Sequence, residues 1–150
     1  LGGYYEVFHY FEILDRLLQA GRLPLKKKLD LGIVTLHDSC YLGRYNGIYS
    51  QPRNILKALH SGRLVEMADH HSKSFCCGAG GGRIWMEEHL GTRMNQARTK
   101  QAVASGADVV VTGCPFCLTM LSDGVKELHV SDRLRAADLA QLVAEACDLG

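Results

Sequence analysis

The most constraining feature of the sequence is a pair of adjacent cysteines followed directly by glycines, in the stretch FCCGAGGG over residues 75–82. Successive side chains of a strand point to opposite faces, so a regular strand cannot turn both Cys76 and Cys77 into one core. A helix is also disfavoured, because each glycine inside a helix costs about 1 kcal/mol relative to alanine. We therefore predict a loop over residues 76–82, with backbone angles that suit glycine.

The composition is that of an ordinary globular chain. The 150 residues are 47% hydrophobic and 22% charged, and the formal net charge is +1. This length is enough for one domain with a sizeable core. The near-neutral charge gives no reason to expect a nucleic-acid partner. No apolar run reaches the 18 or more residues of a transmembrane helix, so we predict no direct membrane span.

Short apolar stretches alternate with helical patterns along the chain. The stretches LDLGIVTL and DVVVT are rich in β-branched residues and predict buried strands. Strands that alternate with helices imply a parallel sheet with crossover helices. We expect a single α/β domain over residues 1–150, with a Rossmann-like parallel sheet flanked by helices. The predicted strands are 29–36, 63–68, 108–112 and 128–130, and 41–50 is predicted as a loop. The predicted helices are 4–20, a short one after Pro52, 84–105 with a break near Gly91, one from Cys114, and a last one capped by Ser131 or Asp132.

Cysteines follow three of the predicted strands. Cys40 comes after the first strand, Cys76 and Cys77 follow the second, and Cys114 and Cys117 follow the third. The carboxyl ends of parallel strands meet at one edge of the sheet, where open α/β sheets place their sites. We therefore predict that loops at one edge of the sheet bring these five cysteines together.

The sixth cysteine, Cys147, falls on the apolar face of the last predicted helix. Free cysteine behaves there as a small hydrophobic residue. We predict that it is buried in the core and takes no part in the site.

Clustered thiols are compatible with three kinds of chemistry. A Cys-x-x-Cys pair such as Cys114 and Cys117 occurs in redox dithiols, in zinc sites and in iron–sulfur sites. A dithiol alone would leave the other three motif cysteines unexplained. Zinc takes four ligands, which would leave one thiol over.

The glycines that follow Cys77 favour an iron–sulfur centre among these possibilities. Backbone N–H groups in a glycine loop can form a concave nest around an anion such as inorganic sulfide. A single zinc ion has little use for so many exposed amides. We therefore name Gly78, Gly80 and Gly81 as candidate cofactor contacts.

The cysteine spacing resembles that of a known family. The pattern is Cys-x(35)-Cys-Cys-x(36)-Cys-x-x-Cys, with HDSCYLGRYN over residues 37–46 and CPFC over residues 114–117. Over about residues 31–125 the sequence resembles the CCG cysteine-rich domain found in the B-type component of heterodisulfide reductase. Its local strings resemble the bacterial iron–sulfur oxidoreductases related to the D-type component. The family often has proline where Ser39 stands.

The resemblance implies an oxidoreductase module for electron transport, with disulfide reduction as a further activity. It implies a ferredoxin-like or flavoprotein redox partner, and upstream iron–sulfur and membrane domains in the same polypeptide. The implied cofactor is a noncubane [4Fe–4S] cluster, and its implied metal ligands are Cys40, Cys76, Cys77, Cys114 and Cys117.

Two further expectations and two alternatives complete this interpretation. The sequence begins at Leu1 and carries none of the implied upstream domains, so we expect a C-terminal fragment of a larger oxidoreductase. We expect a cytoplasmic location. The first alternative is a zinc-binding structural or docking domain without redox activity. The second is a metal-free dithiol reductase.

Four polar residues beside the cysteines have two interpretations each. His37 and Asp38 are placed to hydrogen-bond a cluster sulfur or to relay a proton, and Asp38 is equally suited to fixing the loop. Arg44 and Arg83 are placed to neutralise an anionic cluster or to meet a carboxylate substrate, and a solvated surface position is the alternative.

Aromatic residues and histidines near the cysteines receive simpler predictions. Trp85 and Phe116 are predicted to pack over the site and keep water away from it. Adjacent side chains diverge on a strand, so His70 and His71 are predicted to lie at the surface.

Overall fold

Four short strands form the central sheet of the computed structural model, which describes residues 2–87 and 90–149. The strands are β1 (Ile33–Leu36), β2 (Arg63–Val65), β3 (Val109–Thr112) and β4 (Arg135–Asp138). The helices are α1 (Tyr10–Gln19), α2 (Gly43–Asn46), α3 (Ser50–Leu59), α4 (Met94–Ala104), α5 (Pro115–Glu127) and α6 (Leu139–Ala146). The strand order is β2-β1-β3-β4, and all neighbouring strands are parallel. The α/β class and the parallel sheet flanked by helices, both predicted from the sequence, are therefore confirmed.

Alternating valines of β3 divide the core into two layers. Val109 and Val111 are buried in the larger apolar cluster, together with residues of α1, α3 and α6. Val110 is buried in a second cluster with residues of α4 and α5 such as Ala102 and Leu121. A strand that is covered on both faces is apolar throughout, which explains the unbroken run of valines.

The strand order reverses between β1 and β3, which opens a crevice at the carboxyl edge of the sheet. From β1 the chain goes to β2 on one side, and it later returns to β3 on the other side. Ligands of open α/β sheets bind at such a switch point. Ser39 Oγ lies 3.1 Å from Thr112 Oγ1, and the His37 N–H donates to Val111 O at 2.8 Å. These bonds hold the two strand ends side by side beneath the crevice.

Helix α1 packs against this edge because residue 113 is glycine. A Cβ atom at Gly113 would fall on the ring of Phe11, which is 1% exposed. The hydroxyl of Tyr10 donates to Gly113 O at 3.4 Å. The loop that joins β3 to α5 is therefore held in place by α1.

The predicted strand over residues 128–130 is wrong, and so is the predicted start of the last helix. Residues 128–130 turn the chain after α5, with His129 at φ 54°, and the fourth strand is β4. Helix α6 begins after Asp138, whose carboxylate accepts the Ala140 N–H at 2.8 Å and caps the helix. β4 lies at the edge of the sheet and reads Arg-Ala-Ala-Asp, which lacks the β-branched residues by which a strand is recognised.

The first helix is shorter than predicted. It begins at Tyr10 and not at residue 4, and Val7, which falls within the predicted range, is 89% exposed. His9 caps the helix, since its Nδ1 accepts the Phe11 N–H at 3.2 Å. The Glu12 carboxylate accepts the His9 N–H at 2.9 Å in return, which is the reciprocal pair of a capping box. The predicted start at residue 4 followed the spacing of apolar residues and overlooked the capping residues His9 and Glu12.

The predicted helix over residues 84–105 begins ten residues later, at Met94 of α4. Two 3-10 turns cover Gly80–Trp85, with Gly81 and Gly82 at positive φ between them, and Met86 is extended. Residues 88 and 89 of the prediction lie outside the described residues. Among the smaller differences, β1 and β2 are shorter than the predicted strands, the loop over 41–50 contains α2, and α3 begins at Ser50 and not after Pro52. Within residues 2–87 and 90–149, no helix has the length and apolar character needed to cross a membrane.

Candidate metal centre

The structure brings the five motif cysteines together at the carboxyl edge of the sheet. The side chains of Cys76, Cys77, Cys117 and Cys114 form a chain in which each thiol hydrogen-bonds the next. Cys40 completes the group, because it lines one small pocket with Cys76, Cys77 and Cys117. Cys77 and Cys117 are buried, and the other three are half-buried. The predicted gathering of distant thiols at one edge is therefore observed.

The contacts among these sulfurs divide them into two acidic and two weakly acidic thiols. Hydrogen bonds from Cys117 and Cys76 lower the pKa of Cys77. A hydrogen bond from Cys117 lowers the pKa of Cys114 to about 6. The thiols that donate, Cys117 and Cys76, have raised pKa values because their protons are shared with the neighbouring sulfurs. Negative charge therefore concentrates on sulfur, as a site for a soft cation requires.

Backbone amides point at the same sulfurs. The Gly78 N–H donates to Cys76 Sγ at 3.3 Å, and the Ala79 N–H hydrogen-bonds Cys77. On the other side of the site, the N–H groups of residues 116 and 117 hydrogen-bond Cys114, the N-cap residue of α5. The first turn of this helix begins with a proline and offers its free amides to an anion. The site thus combines thiolates with amide donors.

Gly78 occupies a position that only glycine fits. Its φ is +92°, and a Cβ atom there would lie 2.7 Å from Met94 Cβ. Gly80 and Gly81 are exposed, and a Cβ atom at either would meet open space. The assignment of these three glycines as cofactor contacts stays a prediction.

A buried carboxylate ties together the two loops that carry Cys40 and the cysteine pair. Asp38 receives two hydrogen bonds from Arg53, at 2.7 and 2.9 Å, and Arg53 Nε also bonds Glu66 Oε1 at 2.7 Å. Asp38 Oδ2 accepts the backbone N–H of His71 at 2.7 Å. Burial acts to raise the pKa of Asp38, but Arg53 outweighs it and the pKa lies below its ordinary value. Of its two predicted roles, Asp38 has the loop-fixing one.

The side chain of His37, three residues before Cys40, extends to the sulfurs of Cys77 and Cys117. This side chain is buried and hydrogen-bonds Cys77, and a ring nitrogen lies within 4.8 Å of the sulfurs of Cys77 and Cys117. Burial lowers the pKa of His37. Its Nδ1 accepts the Nε–H of Arg98 at 3.0 Å. Arg98 was not predicted from the sequence; the available signal was its position four residues after Met94, which places both residues on the same face of a helix.

Several neighbours take other positions than those predicted. Trp85 is 85% exposed and Phe116 is 58% exposed, so neither is packed over the site. Arg44 is exposed and donates to the Ser74 carbonyl at 2.9 Å, and Arg83 is also exposed. Arg83 agrees with the surface interpretation. Arg44 also lines the pocket of Cys40 and the cysteine pair, so both of its interpretations stay predictions.

The prediction that His70 and His71 diverge is wrong. Their Nδ1 atoms lie 2.6 Å apart, and both residues are half-buried. His71 has φ 52°, in the left-handed region, so the pair is not part of a strand. The Glu66 carboxylate lies within 4.8 Å of both rings, but it is bound to Arg53, whose positive charge opposes a metal ion there.

Comparisons with known proteins agree with this geometry. Residues 34–122 match the family model described as the CCG cysteine-rich domain. Across 94% of this chain, the sequence is 48% identical to a probable iron–sulfur-binding oxidoreductase, FadF of Bacillus subtilis. Across 99% of this chain, it is 44% identical to an EtfAB:quinone oxidoreductase of Syntrophomonas wolfei. Across 97% of this chain, it is 40% identical to the D-type component of the dihydromethanophenazine:CoB–CoM heterodisulfide reductase of Methanosarcina barkeri.

The matched region is a small part of each relative. The chain spans 20% of the first, 21% of the second and 35% of the third. The relatives are named as oxidoreductases or as components of one, and the predicted resemblance to the heterodisulfide reductase group is confirmed. From the matched residues and the arrangement of its cysteines, the chain belongs to the CCG cysteine-rich domain family.

Proposed function

We propose that this domain is the iron–sulfur redox module of a heterodisulfide-reductase-like oxidoreductase. It holds one noncubane [4Fe–4S] cluster on the five motif cysteines. The observation that carries the proposal is the convergence of thiols from three separate loops on one half-buried edge of the sheet. The names of the relatives support an iron–sulfur cofactor in the same family.

The donor set fits such a cluster. Thiolate sulfur is the protein ligand of iron–sulfur clusters. The ligands would be Cys40, Cys76, Cys77, Cys114 and Cys117. When bound, the cluster supplies one-electron transfer at a potential that depends on hydrogen bonds to sulfur and on exposure.

The protein around the sulfurs has two tasks in this proposal. Met120 is buried against Cys77 and Cys117, with Ile84 partly buried beside them, and these side chains exclude water from the inner sulfurs. The amides of Gly78 and of the first turn of α5 donate to sulfur and stabilise its negative charge. A drier site strengthens each of these electrostatic contacts.

An open cleft of about 720 Å³ gives access to the outer sulfurs. Cys40 and Cys114 line it, along with apolar side chains such as Phe8, Ile48 and Phe116. A redox partner or a disulfide substrate that enters this cleft meets the two half-buried cysteines first. The exposed Phe116 ring stands at this opening, where a partner would cover it.

The module passes electrons from a ferredoxin-like or flavoprotein partner to the rest of its oxidoreductase. Where the acceptor is a disulfide, two electrons from that partner and two protons from solvent break the S–S bond and give two thiols. The upstream iron–sulfur and membrane domains of the larger polypeptide, and the cytoplasmic side as the location, are parts of the same proposal.

One observation favours zinc as the second candidate. A ring nitrogen of His37 and the sulfurs of Cys77 and Cys117 lie within 4.8 Å of one another, a spacing that suits three ligands of one ion. A fourth ligand from Cys114 or Cys40 would complete a tetrahedral zinc site. The domain would then be a structural or docking unit without redox activity.

Metal analysis of the chain purified without oxygen decides between the two. The proposal predicts about four iron atoms and about four acid-labile sulfides per chain, and a coloured protein that bleaches on reduction. About one zinc per chain, together with unfolding by a chelator, would establish the structural alternative. Iron-free protein that cannot be reconstituted would end the redox proposal.

A further inference from the structure

Arg98 is the most deeply buried charged residue among those described. Its side chain extends from α4 to the floor of the site and is 0% exposed. Its N–H groups donate to Asp69 O at 2.8 Å, Gln101 Oε1 at 2.5 Å, Ser74 Oγ at 3.2 Å and His37 Nδ1 at 3.0 Å. All four acceptors are neutral, so no anion among the described residues is hydrogen-bonded directly to the guanidinium.

The positive charge of Arg98 has no direct counterion in the described part of the chain. No carboxylate there lies within 4.0 Å of its guanidinium, whereas Arg53, the other buried arginine, is paired with Asp38 and Glu66. Arginine does not release its proton, so the buried charge depends on groups that lie farther away. In order of effect, the groups that interact electrostatically with Arg98 are the carboxylates of Asp38 and Asp69 and then the sulfurs of Cys117 and Cys77.

Arg98 also decides which nitrogen of His37 carries the proton. Arginine is only a donor, so the Nδ1 that receives its Nε–H must be unprotonated. In a neutral imidazole the proton is then on Nε2. A ring nitrogen of His37 lies within 4.8 Å of the Cys77 sulfur, and because Nδ1 is occupied by Arg98, Nε2 is the atom left to face that sulfur. His37 therefore donates to the Cys77 sulfur and has no free lone pair for a metal.

Buried hydrogen bonds hold the backbone at His37 and the residues around Arg98 in place. The His37 backbone N–H is bonded to Val111 O at 2.8 Å, which extends the pairing of β1 with β3 by one residue. Ser74, which Arg98 holds through its hydroxyl, also donates to Asp38 O at 3.2 Å. Buried hydrogen bonds thus fix the backbone that carries His37, and the Arg98 Nε–H holds the ring at Nδ1, as the outer residues of a metal site typically do.

We propose that Arg98 and His37 form a positioning pair that gives Cys77 a fixed N–H donor and a buried positive charge, and so raises the reduction potential of the cluster. This inference rests on the proposed function. Reduction adds negative charge to the cluster, and a donor to a ligand sulfur stabilises the reduced state more than the oxidised state. The same pair removes His37 from the list of zinc ligands.

The test is a potentiometric titration of the cluster, followed by electron paramagnetic resonance, in the wild-type chain and in three variants. His37→Leu removes the donor, and we expect the reduction equilibrium constant to fall at least tenfold, which is about 59 mV for one electron. His37→Gln keeps an amide donor and is expected to restore part of the shift. His60→Leu removes another buried histidine, which bonds the Leu29 carbonyl, and is expected to leave the potential unchanged.

A second readout needs no cluster. Nitrogen-15 resonance of the histidines in the metal-free, reduced full chain distinguishes the two neutral tautomers, and we expect the Nε2–H form for His37. An Nδ1–H form, or a wild-type potential in a His37→Leu variant with full iron content, would overturn the inference and leave the proposed function standing. If the His37→Leu variant binds no iron, the His37→Gln variant decides the question. A His37→Gln variant with the potential of the wild type supports the donor role, and a His37→Gln variant that also loses the cluster overturns the inference. A wild-type chain that never takes up iron would overturn the proposed function instead.

Discussion

The Asp38 carboxylate accepts the backbone N–H of His71 at 2.7 Å and thereby joins two loops that are 33 positions apart in the sequence. Cys40 follows two residues after this carboxylate, and the cysteine pair follows five residues after His71. Arg53 holds the carboxylate from the opposite side. The distance between Cys40 and the pair is therefore set by a buried ion pair that is separate from the sulfurs.

Removing Arg53 is expected to destabilise the fold strongly. Arg53→Leu leaves Asp38 buried without its cation, and breaking a buried pair in this way costs about 3–5 kcal/mol. Urea unfolding of the metal-free chain measures the change. Asp148→Asn is the matched control, because the pair of Asp148 with Lys27 at 3.2 Å is half-exposed and is expected to change stability by less than about 0.5 kcal/mol. Equal losses of unfolding free energy in the two variants would contradict the stabilising role of the ion pair between Arg53 and Asp38.

Replacing Gly78 is expected to damage the loop, while replacing Gly80 is not. Gly78→Ala adds a Cβ at φ +92° and 2.7 Å from Met94, so we expect a loss of at least about 1–2 kcal/mol and poorer iron retention. Gly80→Ala meets nothing within 4 Å and serves as the control. Unfolding curves and iron content are measured for both. A tolerant Gly78→Ala would mean that the backbone of this loop is not fixed as described.

The Cys114 thiol is expected to be reactive in the metal-free, reduced chain. Its pKa is lowered to about 6 by the hydrogen bond from Cys117, so the thiolate predominates at pH 7 and the half-buried sulfur is accessible. Alkylation by iodoacetamide at this residue should rise as the pH is raised through 6 and level off above about pH 7. Mass spectrometry of the modified chain identifies the site. An alkylation rate that still climbs steeply above pH 8 would show an ordinary thiol.

The lowered pKa of Cys114 also predicts the direction in which the stability of the metal-free chain changes with pH. A thiol whose pKa is lower in the folded chain than in the unfolded chain stabilises the fold above its unfolded pKa, which is about 8.5. That contribution decreases as the pH falls and is lost below about 6 for Cys114. Cys114→Ser should therefore flatten the pH dependence of unfolding between these values in the metal-free chain.

The parts of the fold that the sequence predicted well are those in which side-chain chemistry is strong. β3 is a run of valines because both faces are covered, and the cysteines after β1 and β3 follow from the parallel sheet. β4 escaped prediction because its pairing with β3 comes from long-range register and not from its own Arg-Ala-Ala-Asp sequence. Local propensity is weak at an edge strand, and tertiary context decides its position.

The site shows the same division between local and long-range information. The gathering of the cysteines could be predicted from the sequence alone, because each of the three cysteine groups follows a predicted strand. Arg98 was not, since its partners His37 and Ser74 lie 61 and 24 positions away and only the folded chain brings them together. The divergence of His70 and His71 was predicted wrongly because it assumed a strand, whereas His71 has a left-handed backbone angle that most non-glycine residues do not adopt.

Single cysteine substitutions separate the site from the core. Cys117→Ser is expected to lower iron content to well below half, because the buried sulfur contacts both Cys77 and Cys114. Cys147→Ser is the matched control: this cysteine is buried in the core directly after α6, and its loss should reduce stability by about 1 kcal/mol while iron content is preserved. Iron and sulfide assays after anaerobic purification compare the two variants. Iron content that is unaffected in Cys117→Ser would remove this residue from the ligand set.

Thiols from three loops are proposed to share one inorganic centre. Iron K-edge X-ray absorption of the wild-type chain, prepared without oxygen, examines that centre itself. We expect a first coordination shell of sulfur and iron neighbours in the second shell. An absent iron edge after reconstitution, or a first shell of nitrogen and oxygen without iron neighbours, would contradict it.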